Sequence, residues 1–459
     1  MRVLLVATNT EVEPYPVAPL GMAVIAGALA AAGHDVRQHD RLVAADTPGA
    51  LQELLRDFRP DVVGISLRNI DNVDSLTSDS HWALSGVRDV VARIRAGTDA
   101  TVIMGGPGFS LMPEEILDYT GADHGVVGEG EAATCELLEM LRDGQTPPRV
   151  MRGRTRLQGA EVGAAMHDPA IFAHYLRESG VAGIQTKRGC PRSCCYCTYP
   201  ALEGRTIRAR EPGAVVDEIV RLMAEHDVHE VFFTDAVFND HEGHWLVLAE
   251  EMVRRGVSVP WTGFFQPGEL HRDELRLCAR SGLKAVELGT DAATDATLRG
   301  ICKGFDFATA ERVSALCLSE RIPCAHFVIF GGPGETGATI TEGLHNMERL
   351  GDAVVCAFLG IRVYPGTALF RQAVLEGSLP PDATCLQPTY YFSPEIDPAE
   401  AQERIALAFR GRRDRLFPPS KGQEQMAVMR RFGKRGILWD TLIRFPQQVR
   451  QEAASATGA

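Results

Sequence analysis

The sequence predicts two successive α/β units and a helical C-terminal extension: an open parallel sheet first, then a partial (β/α)6 barrel. Three observations carry this. Short apolar runs alternate with helical patterns through residues 1–145. After a Pro-, Gly- and Arg-rich stretch the alternation resumes near Ala182 as six strand–helix units, spaced by roughly thirty residues. Past Pro365 the strand signals give way to helical, irregular sequence. A chain of 459 residues is long enough for two or three domains.

In the first unit, "RVLLVAT" is a short apolar run fit for a buried strand, and "PLGMAVIAGALAAAG" is an Ala-rich helix that Gly33 stops. "HDVRQHD" reads as a half-buried strand. "PGALQELLRDF" is a helix opened by Pro48, with Thr47 as its cap. "PDVVGISL" and "ATVIMGGP" are buried strands with the helix "HWALSGVRDVVARIRAG" between them. "ADHGVVGEGE" supplies a fifth strand before a helix from Glu131 to Arg142. This is an open, Rossmann-like parallel sheet, which binds ligands over the carboxyl ends of its strands. Residues 146–181 show no sustained periodicity and read as a linker with a small strand or two.

In the second unit the strands are "AGIQTKRG", "EVFFTDAVF", "VPWTGFFQP", "KAVELGTD", "CAHFVIFGG" and "AFLGIRVYP", with helices near 212–227, 243–255, 270–281, 307–320 and 337–350. Six units over 182–370 make a partial TIM-type barrel, short of a closed one. Residues 371–459 form the helical C-terminal extension, through "DPAEAQERIALAFRGRRDRLF" and "GILWDTLIRF" to a small, polar, frayed tail, "QEAASATGA".

Formal net charge is −13, which argues against nucleic acid or an anionic membrane as the main partner. Basic clusters at Arg205–Arg210 and Arg430–Arg435 read as solvated faces, or else as grips for an anionic group on a small ligand. No apolar run reaches the about eighteen residues of a membrane span, and the apolar part of "MRVLLVATNT" is too short for a secretory signal. The expected location is the cytoplasm, where clustered cysteines point to metal or catalysis rather than disulfides.

Four of the 11 cysteines fall within "KRGCPRSCCYCTYP", Lys187 to Pro200. Cys190, Cys194 and Cys197 form C-x3-C-x2-C. Thiolates are soft ligands for zinc, copper(I) or iron–sulfur clusters. Structural zinc asks for four closing ligands, and no second pair follows at zinc-finger spacing. Cys278, Cys302, Cys317, Cys324, Cys356 and Cys385 are scattered, mostly through apolar runs, and read as small core residues. Three ligands on one short loop suit a [4Fe–4S] cluster with one iron left open. Cys195 reads as a buried structural thiol.

This arrangement resembles the radical S-adenosylmethionine superfamily, whose signature is C-x3-C-x2-C with an aromatic, here Tyr196, before the last cysteine. The resemblance implies that Cys190, Cys194 and Cys197 hold the cluster and that S-adenosylmethionine chelates the open iron. It also implies cosubstrate contacts: Gly331, Gly332, Pro333, Gly334 and Glu335 of "HFVIFGGPGE" beside the adenosyl group, Asp235 of "VFFTDAVFN" at the methionyl amino group in place of the family's Gly-Gly-Glu-like segment, and Glu287 and Asp291 of "VELGTDA" at the ribose hydroxyls. The alternatives are an ordinary strand–helix turn and structural carboxylates.

With an open α/β domain ahead of the barrel, residues 1–370 resemble the cobalamin-binding radical S-adenosylmethionine enzymes of the class B methylase type, on "PLGMAVIAGALAAAGHDV", "PDVVGISL", "IMGGPGFSLMPEEIL" and "GVVGEGE". One departure stands out. Other cobalamin domains carry Asp-x-His-x-x-Gly, whose His ligates cobalt; here the first loop reads "TNTEVEPYPVAPLG", and Asp79-Ser80-His81 has Leu84 where Gly is required. Cobalt is expected to have no protein His beneath it. "SLRNIDNVDS" brings Ser66, Arg68 and Asn69 to the cofactor edge. Arg68, with five donors and no lone pair, is expected under the corrin; the alternative is a loop whose Asn and Asp residues cap the next turn. Gly105, Gly106, Gly128 and Glu129 are expected to line the same edge.

The resemblance implies a [4Fe–4S]-, cobalamin- and S-adenosylmethionine-dependent enzyme. It would C-methylate a small-molecule or peptide substrate at an unactivated or weakly nucleophilic carbon via methylcobalamin, served by an electron donor of the flavodoxin or ferredoxin type. The layout resembles the tryptophan 2-C-methyltransferase-like branch. The runner-up is cobalamin-assisted oxidation, cyclisation or ring rearrangement without methyl transfer. A cobalamin sensor or carrier sits badly with the cluster motif, and an RNA methylthiotransferase with the acidic charge and helical C-terminus. Trp261, Phe264, Phe265, Tyr364, Tyr390 and Tyr391 either line an apolar pocket or, the commoner fate, pack the core.

Overall fold

The apolar runs of the N-terminal half become parallel strands. The computed structural model describes residues 1–12, 15–44, 49–153, 156–268 and 270–443. Its first sheet is built from β1 (Arg2–Ala7), α1 (Leu20–Ala31), β2 (Asp35–Asp40), α2 (Ala50–Phe58), β3 (Val62–Ser66), α3 (Leu84–Gly97), β4 (Thr101–Gly105), α4 (Pro107–Leu111), α5 (Pro113–Thr120), β5 (His124–Val127), α6 (Gly130–Arg142) and β6 (Val150–Arg152). The strand order is β2-β1-β3-β4-β5-β6, parallel throughout. The order reverses between β1 and β3, so the loops 8–19 and 67–83 part there and frame a crevice at the carboxyl edge.

Two sequence expectations change here. The stretch 146–181 supplies β6 to the first sheet and holds α7 (Pro169–Ser179). Asp168 caps that helix, accepting from the Ala170 and Ile171 amides at 3.0 Å each, and Pro169 takes its first position. The Pro- and Arg-rich composition upstream obscured this start signal. The α2 helix begins at Ala50 after Gly49; Thr47 and Pro48 lie outside the described residues, as does "QEAASATGA".

The second sheet begins with β7 (Val181–Ile184). There follow β8 (Lys187–Arg188), α8 (Tyr199–Leu202), β9 (Arg208–Ala209), α9 (Pro212–His226), β10 (Glu230–Phe233), α10 (His244–Arg254), β11 (Trp261–Phe265), α11 (Arg272–Ser281), β12 (Val286–Asp291), α12 (Asp295–Gly300), α13 (Phe307–Ser319), β13 (Cys324–Phe330), α14 (Gly337–Asn346) and β14 (Val354–Leu359). The C-terminal part adds β15 (Ile361–Arg362), α15 (Ala368–Leu375), β16 (Tyr390–Tyr391), α16 (Pro398–Phe409), β17 (Arg415–Leu416), α17 (Pro419–Arg431) and α18 (Trp439–Leu442). The order β17-β14-β13-β12-β11-β10-β7 is that of the expected six-strand partial barrel, closed further by the short β17 from the extension.

The sixth barrel strand is displaced from its expected run. "AFLGIRVYP" is not one strand: β14 ends at Leu359, and Gly360 turns the chain at φ 79°, where a Cβ would sit 2.6 Å from the Phe392 ring. β15 then pairs antiparallel with β16.

Side-chain alternation divides the barrel strands into two faces. Val231, Phe233, Trp261, Phe265, Val286, Leu288, Val328 and Phe330 face the helices and are fully buried. Phe232, Gly289, Phe327, Ile329 and Phe358 face inward yet stay half-buried, and Phe264 keeps 40 % of its surface. Inward residues that retain accessible surface mean that the barrel encloses a lumen. At its floor Ala325, Val354 and Cys356 form a small separate core with Leu416, Leu442 and Ile443, joined by Met429 and Trp439. The C-terminal segment therefore plugs the barrel from below. Among the described residues no helix is long and apolar enough to cross a membrane.

Candidate active site

The loop after the first barrel strand is pinned on every side. Gly189 has φ 94°, and a Cβ there would lie 2.0 Å from the Thr206 carbonyl oxygen, so only glycine fits. The Cys190 amide donates to the Gly204 carbonyl at 3.0 Å, and the Cys195 amide to Ile301 at 3.1 Å. The Cys195 carbonyl accepts from Leu369 at 2.8 Å, and its side chain is buried, the structural thiol expected of it. Tyr196 OH donates to Asp291 Oδ2 at 2.5 Å, and Lys303 Nζ pairs with the same carboxylate.

Cys190, Cys194 and Cys197 are free thiols on this loop. Burial pushes the Cys197 thiol up to about 12 and raises Cys194, against the opposing pull of the Lys303 ammonium. Among the described residues no three His, Cys, Asp or Glu side chains converge on one ion. A [4Fe–4S] cluster does not ask for that: each cysteine binds its own iron, and the thiols stand apart. Three reduced thiols on one loop with a cation beside them fit such a cluster better than zinc.

The glycine-rich loop lies next to it. A Cβ on Gly332 would be 3.3 Å from Ile301, the residue that holds Cys195, and one on Gly300 would be 1.9 Å from the Pro333 carbonyl oxygen. Gly331 and Gly334 have φ 87° and 82°. Glu335 is buried and turned inward on its own loop, accepting from the Gly331 amide at 3.2 Å and from Thr339 at 2.5 Å. It shapes the loop and offers no free carboxylate. The structure thus brings Tyr196, Asp291 and 331–335 together around the cysteines.

Three expected contacts sit elsewhere or are otherwise engaged. Asp235 is fully buried; its oxygens accept from the Thr186 amide (2.7 Å) and hydroxyl (2.5 Å), the Lys187 amide (3.2 Å) and Lys187 Nζ (3.0 Å). That geometry leaves nothing for a methionyl amino group. Glu287 stands second in β12, far from the carboxyl edge where a ribose would lie. Asp291 is at that edge, but Tyr196 and Lys303 occupy its carboxylate.

On the first sheet, Arg68 is half-buried and donates to the Val17 carbonyl at 3.4 Å, with no carboxylate in salt-bridge contact among the described residues. Burial holds its pKa below the usual arginine range. Asn69 is exposed beside it, and Ser66 is half-buried at the strand end. Val12, Val17 and Val73 expose 39 %, 37 % and 46 % of their surface on the two crevice loops. An exposed apolar rim around an unpaired guanidinium fits a flat, amide-fringed ring. His81, the one His of these loops, has Nδ1 2.7 Å from Glu11 Oε2. Asp71, Asn72 and Asp74 cap the turns of their own loop, as the alternative reading had it.

Gly106 serves a different purpose from the one expected: at φ 102° its Cβ would meet the Leu67 carbonyl oxygen at 2.5 Å, so its need is strand-loop packing. A Cβ on Gly105 would make only ordinary contact, 3.8 Å from the Val126 carbonyl oxygen. The Gly128 amide donates to Ser110 at 3.0 Å. Glu129 does not face a ligand. It is clamped by Arg208, with Nη1 at 3.0 Å, and lies 3.4 Å from Arg188. Burial alone would raise its pKa, but these guanidiniums outweigh it and hold it low. Arg208 and Arg210 are buried partners of Glu129 and Glu218, not the solvated face expected.

These contacts join the two sheets. Arg188 Nη2 reaches Glu131 at 2.6 Å, Arg362 Nε reaches the buried Asp71 at 2.8 Å, and Ser75 Oγ donates to the Leu359 carbonyl at 2.5 Å. Leu359 ends β14, so the carboxyl edges of both sheets meet, crevice against barrel mouth. Lys187, Lys303, Tyr15 and Trp439 carry no motif, and their positions emerge only here.

A crevice of this kind facing a cysteine-bearing barrel defines a cobalamin-binding radical S-adenosylmethionine enzyme, and the chain is one. The B12 binding domain family matches residues 8–138 and the Radical SAM superfamily residues 184–345. Its cofactors are cobalamin, a [4Fe–4S] cluster and S-adenosylmethionine. Among curated proteins it is similar to tryptophan 2-C-methyltransferase of Streptomyces laurentii, 29% identical over 440 residues, covering 79% of this chain and 72% of that one. It is also similar to an anaerobic magnesium-protoporphyrin IX monomethyl ester cyclase of Rubrivivax gelatinosus, 26% identical over 81% of this chain and 70% of that one. Among solved structures it shares the fold of the radical S-adenosylmethionine methyltransferase TsrM of Kitasatospora setae. The form with cobalamin and [4Fe–4S] cluster bound gives a TM-score of 0.80 at 23% identity, covering 94% and 99% of the two chains. The form with tryptophan and a SAM analogue gives 0.83 at 24%, covering 96% and 97%.

Proposed function

We propose that this chain is a C-methyltransferase that moves a methyl group from S-adenosylmethionine, by way of cobalamin, to a ring carbon of tryptophan or a tryptophan-like indole. The observation that carries this is the meeting of two cofactor edges over one aromatic lumen, lined by Phe232, Phe264, Phe327 and Phe358. Similarity to a tryptophan 2-C-methyltransferase supports the choice of substrate. When bound, cobalamin supplies a methyl-carrying cobalt, and the cluster with S-adenosylmethionine supplies the methyl source and, where needed, a radical.

The residues have these roles in the reading. Cys190, Cys194 and Cys197 hold the cluster, and the Tyr196–Asp291–Lys303 contact fixes their loop. Gly331, Gly332 and Pro333 let the cosubstrate approach the backbone. Arg68 lies under the corrin, donates to its amide oxygens and leaves the lower face without a ligand. An electron donor of the flavodoxin or ferredoxin type keeps the cofactors reduced. The eleven free cysteines favour a reducing, cytoplasmic setting. A second reading, ring formation without methyl transfer, is favoured by the cyclase relative.

Anaerobic reconstitution with cobalamin decides between them. About four irons and one cobalt per chain are expected, with S-adenosylhomocysteine and methylated tryptophan formed from S-adenosylmethionine and tryptophan. Full cofactor loading without S-adenosylhomocysteine would turn the assignment to the second reading. Arg68→Ala is expected to alter the cobalamin spectrum; an unchanged spectrum and unchanged methyl loading would remove Arg68 from the site.

A further inference from the structure

The basic run at Arg205–Arg210 divides in the structure. Arg208 and Arg210 are buried on carboxylates, but Arg205 is exposed. Its Nη1 donates to the Arg192 carbonyl at 3.2 Å and to Ser193 Oγ at 3.3 Å, both inside the cysteine loop. Arg192 is exposed as well, with its guanidinium alongside Gly304, where a Cβ would lie 3.6 Å from Nη1. Two more exposed arginines flank the loop. Arg299 lies two residues before Ile301, whose carbonyl accepts from the Cys195 amide. Arg371 lies two residues beyond Leu369, whose amide donates to the Cys195 carbonyl. None of the four makes an ion pair among the described residues. The nearby Arg156, by contrast, lies 3.7 Å from Glu129. The acids beside Arg299 and Gly304 are spent on helix amides: Asp295 accepts from Phe307 at 2.8 Å, and Asp306 from Thr309 at 2.9 Å.

Four like charges without counter-charges repel one another, and solubility does not require them in a chain of net charge −13. Their position indicates what they serve. Arg192 and Ser193 form a single exposed layer outside the buried Cys190 and the half-buried Cys194 and Cys197. Tyr199, two residues past Cys197, adds an aromatic ring that keeps 38 % of its surface. Arginines around an exposed aromatic are the composition that protein interfaces favour. Electron transfer through protein falls steeply with distance, so a carrier that docks on this layer stands closest to the cysteines.

We propose that Arg192, Arg205, Arg299 and Arg371, with Tyr199 beside them, form the docking surface for the electron donor, a small acidic carrier protein. This rests on the donor reading above and holds whether the substrate is methylated or cyclised. One electron leaves the carrier's reduced flavin and enters the enzyme's cluster; no bond is made or broken and no proton moves. Two acidic proteins repel each other along every other approach, so the patch sets orientation as well as rate. The contact is small and transient, as redox encounters are.

The test uses reconstituted holoenzyme, with iron and cobalt content as the folding control. Fully reduced flavodoxin is mixed with it anaerobically, and flavin oxidation is followed by stopped flow. The wild-type rate is expected to fall at least about tenfold as salt rises from about 0.05 M to about 0.5 M. The double variant Arg192→Glu/Arg299→Glu is expected to react at least about tenfold more slowly at low salt and to lose most of that salt dependence. Reduction by the small, cationic methyl viologen radical should be no slower than in wild type. Arg192→Lys/Arg299→Lys keeps the charge and is expected to keep most of the rate. Binding is read separately by titrating oxidised flavodoxin, through its amide resonances, with oxidised holoenzyme; the Glu variant is expected to bind at least about tenfold more weakly. Wild-type rate and affinity in the Glu variant overturn the docking surface alone. A Lys variant as slow as the Glu variant places the effect in loop geometry and also overturns it. Tight binding of an oligodeoxynucleotide, equal to that of flavodoxin, makes the patch a general anion grip and overturns it too. If flavodoxin does not reduce wild type at any salt while methyl viologen does, the donor reading falls and the docking surface with it.

Discussion

Lys187 lies almost wholly buried between two carboxylates, 3.0 Å from Asp235 and 3.3 Å from Asp240, with the Phe238 carbonyl at 2.8 Å. Removing the cation would strand two buried charges, so Lys187→Met is expected to cost about 3–5 kcal/mol, read from the urea midpoint. A loss below about 1 kcal/mol, the range of an exposed pair, would mean that water reaches the site. The cysteines divide by role: Ser at 190, 194 or 197 should each abolish cluster loading, whereas Cys195→Ser should load iron normally. Glu287 makes a pH prediction. Its folded pKa is raised from 4.5 to about 7, so its contribution is fully present below its unfolded value and is lost as pH rises through 7. Glu287→Gln should therefore stabilise the apoprotein at pH 8 relative to wild type, by about 3 kcal/mol, and should give no such gain at pH 4. Thermal melts at the two pH values check the difference. At this scale the sequence was partly legible. The cysteine loop could be picked out from spacing alone, because three thiols on one short loop form a local pattern. Asp235 and Glu129 could not, because a carboxylate's role depends on whether a cation reaches it from another element.

At the scale of elements, the barrel strands and helices fell close to their apolar runs, since a strand buried on both faces must be apolar along its length. The exceptions have local causes. Gly360 cuts the sixth strand short, and Asp168 starts a helix inside what composition suggested was a linker. Gly189 is the tightest constraint on the cysteine loop. Gly189→Ala combines a left-handed φ with a clash against Thr206, expected to cost at least about 2 kcal/mol and to lower iron content on reconstitution. The C-terminal plug is the least legible element. "GILWDTLIRF" announced a helix and little else, yet Trp439 closes the floor and holds Glu287. Trp439→Ala should cost about 3–5 kcal/mol and, by admitting water, return the Glu287 carboxyl toward its ordinary range. The alkaline gain of Glu287→Gln should then shrink in the double variant, which paired melts at pH 8 would reveal.

At the scale of the whole molecule, buried ion pairs fasten the two sheets. Arg362 is anchored by Asp71 and the Cys385 carbonyl, the latter at 2.9 Å, and Glu129 bridges Arg188 and Arg208. Arg362→Ala leaves Asp71 buried without its cation and is expected to cost about 3–5 kcal/mol. Because that loss falls on the interface, calorimetry should show one unfolding transition in wild type and two in the variant. A single transition of unchanged width would mean that the remaining contacts suffice to couple the sheets.

The sequence by itself determined the order of the two α/β units, the cysteine loop and the absence of a cobalt-ligating His motif. All three follow from local periodicity or ligand spacing, which a short window contains. Only the tertiary structure decided which carboxylates are taken up by arginines and lysines. It alone placed the crevice against the barrel mouth and brought Trp439 under Glu287. Those outcomes depend on pairs far apart in the chain, 152 residues in the case of Trp439 and Glu287. No local pattern encodes such a pair, because burial and charge compensation are properties of the packed molecule.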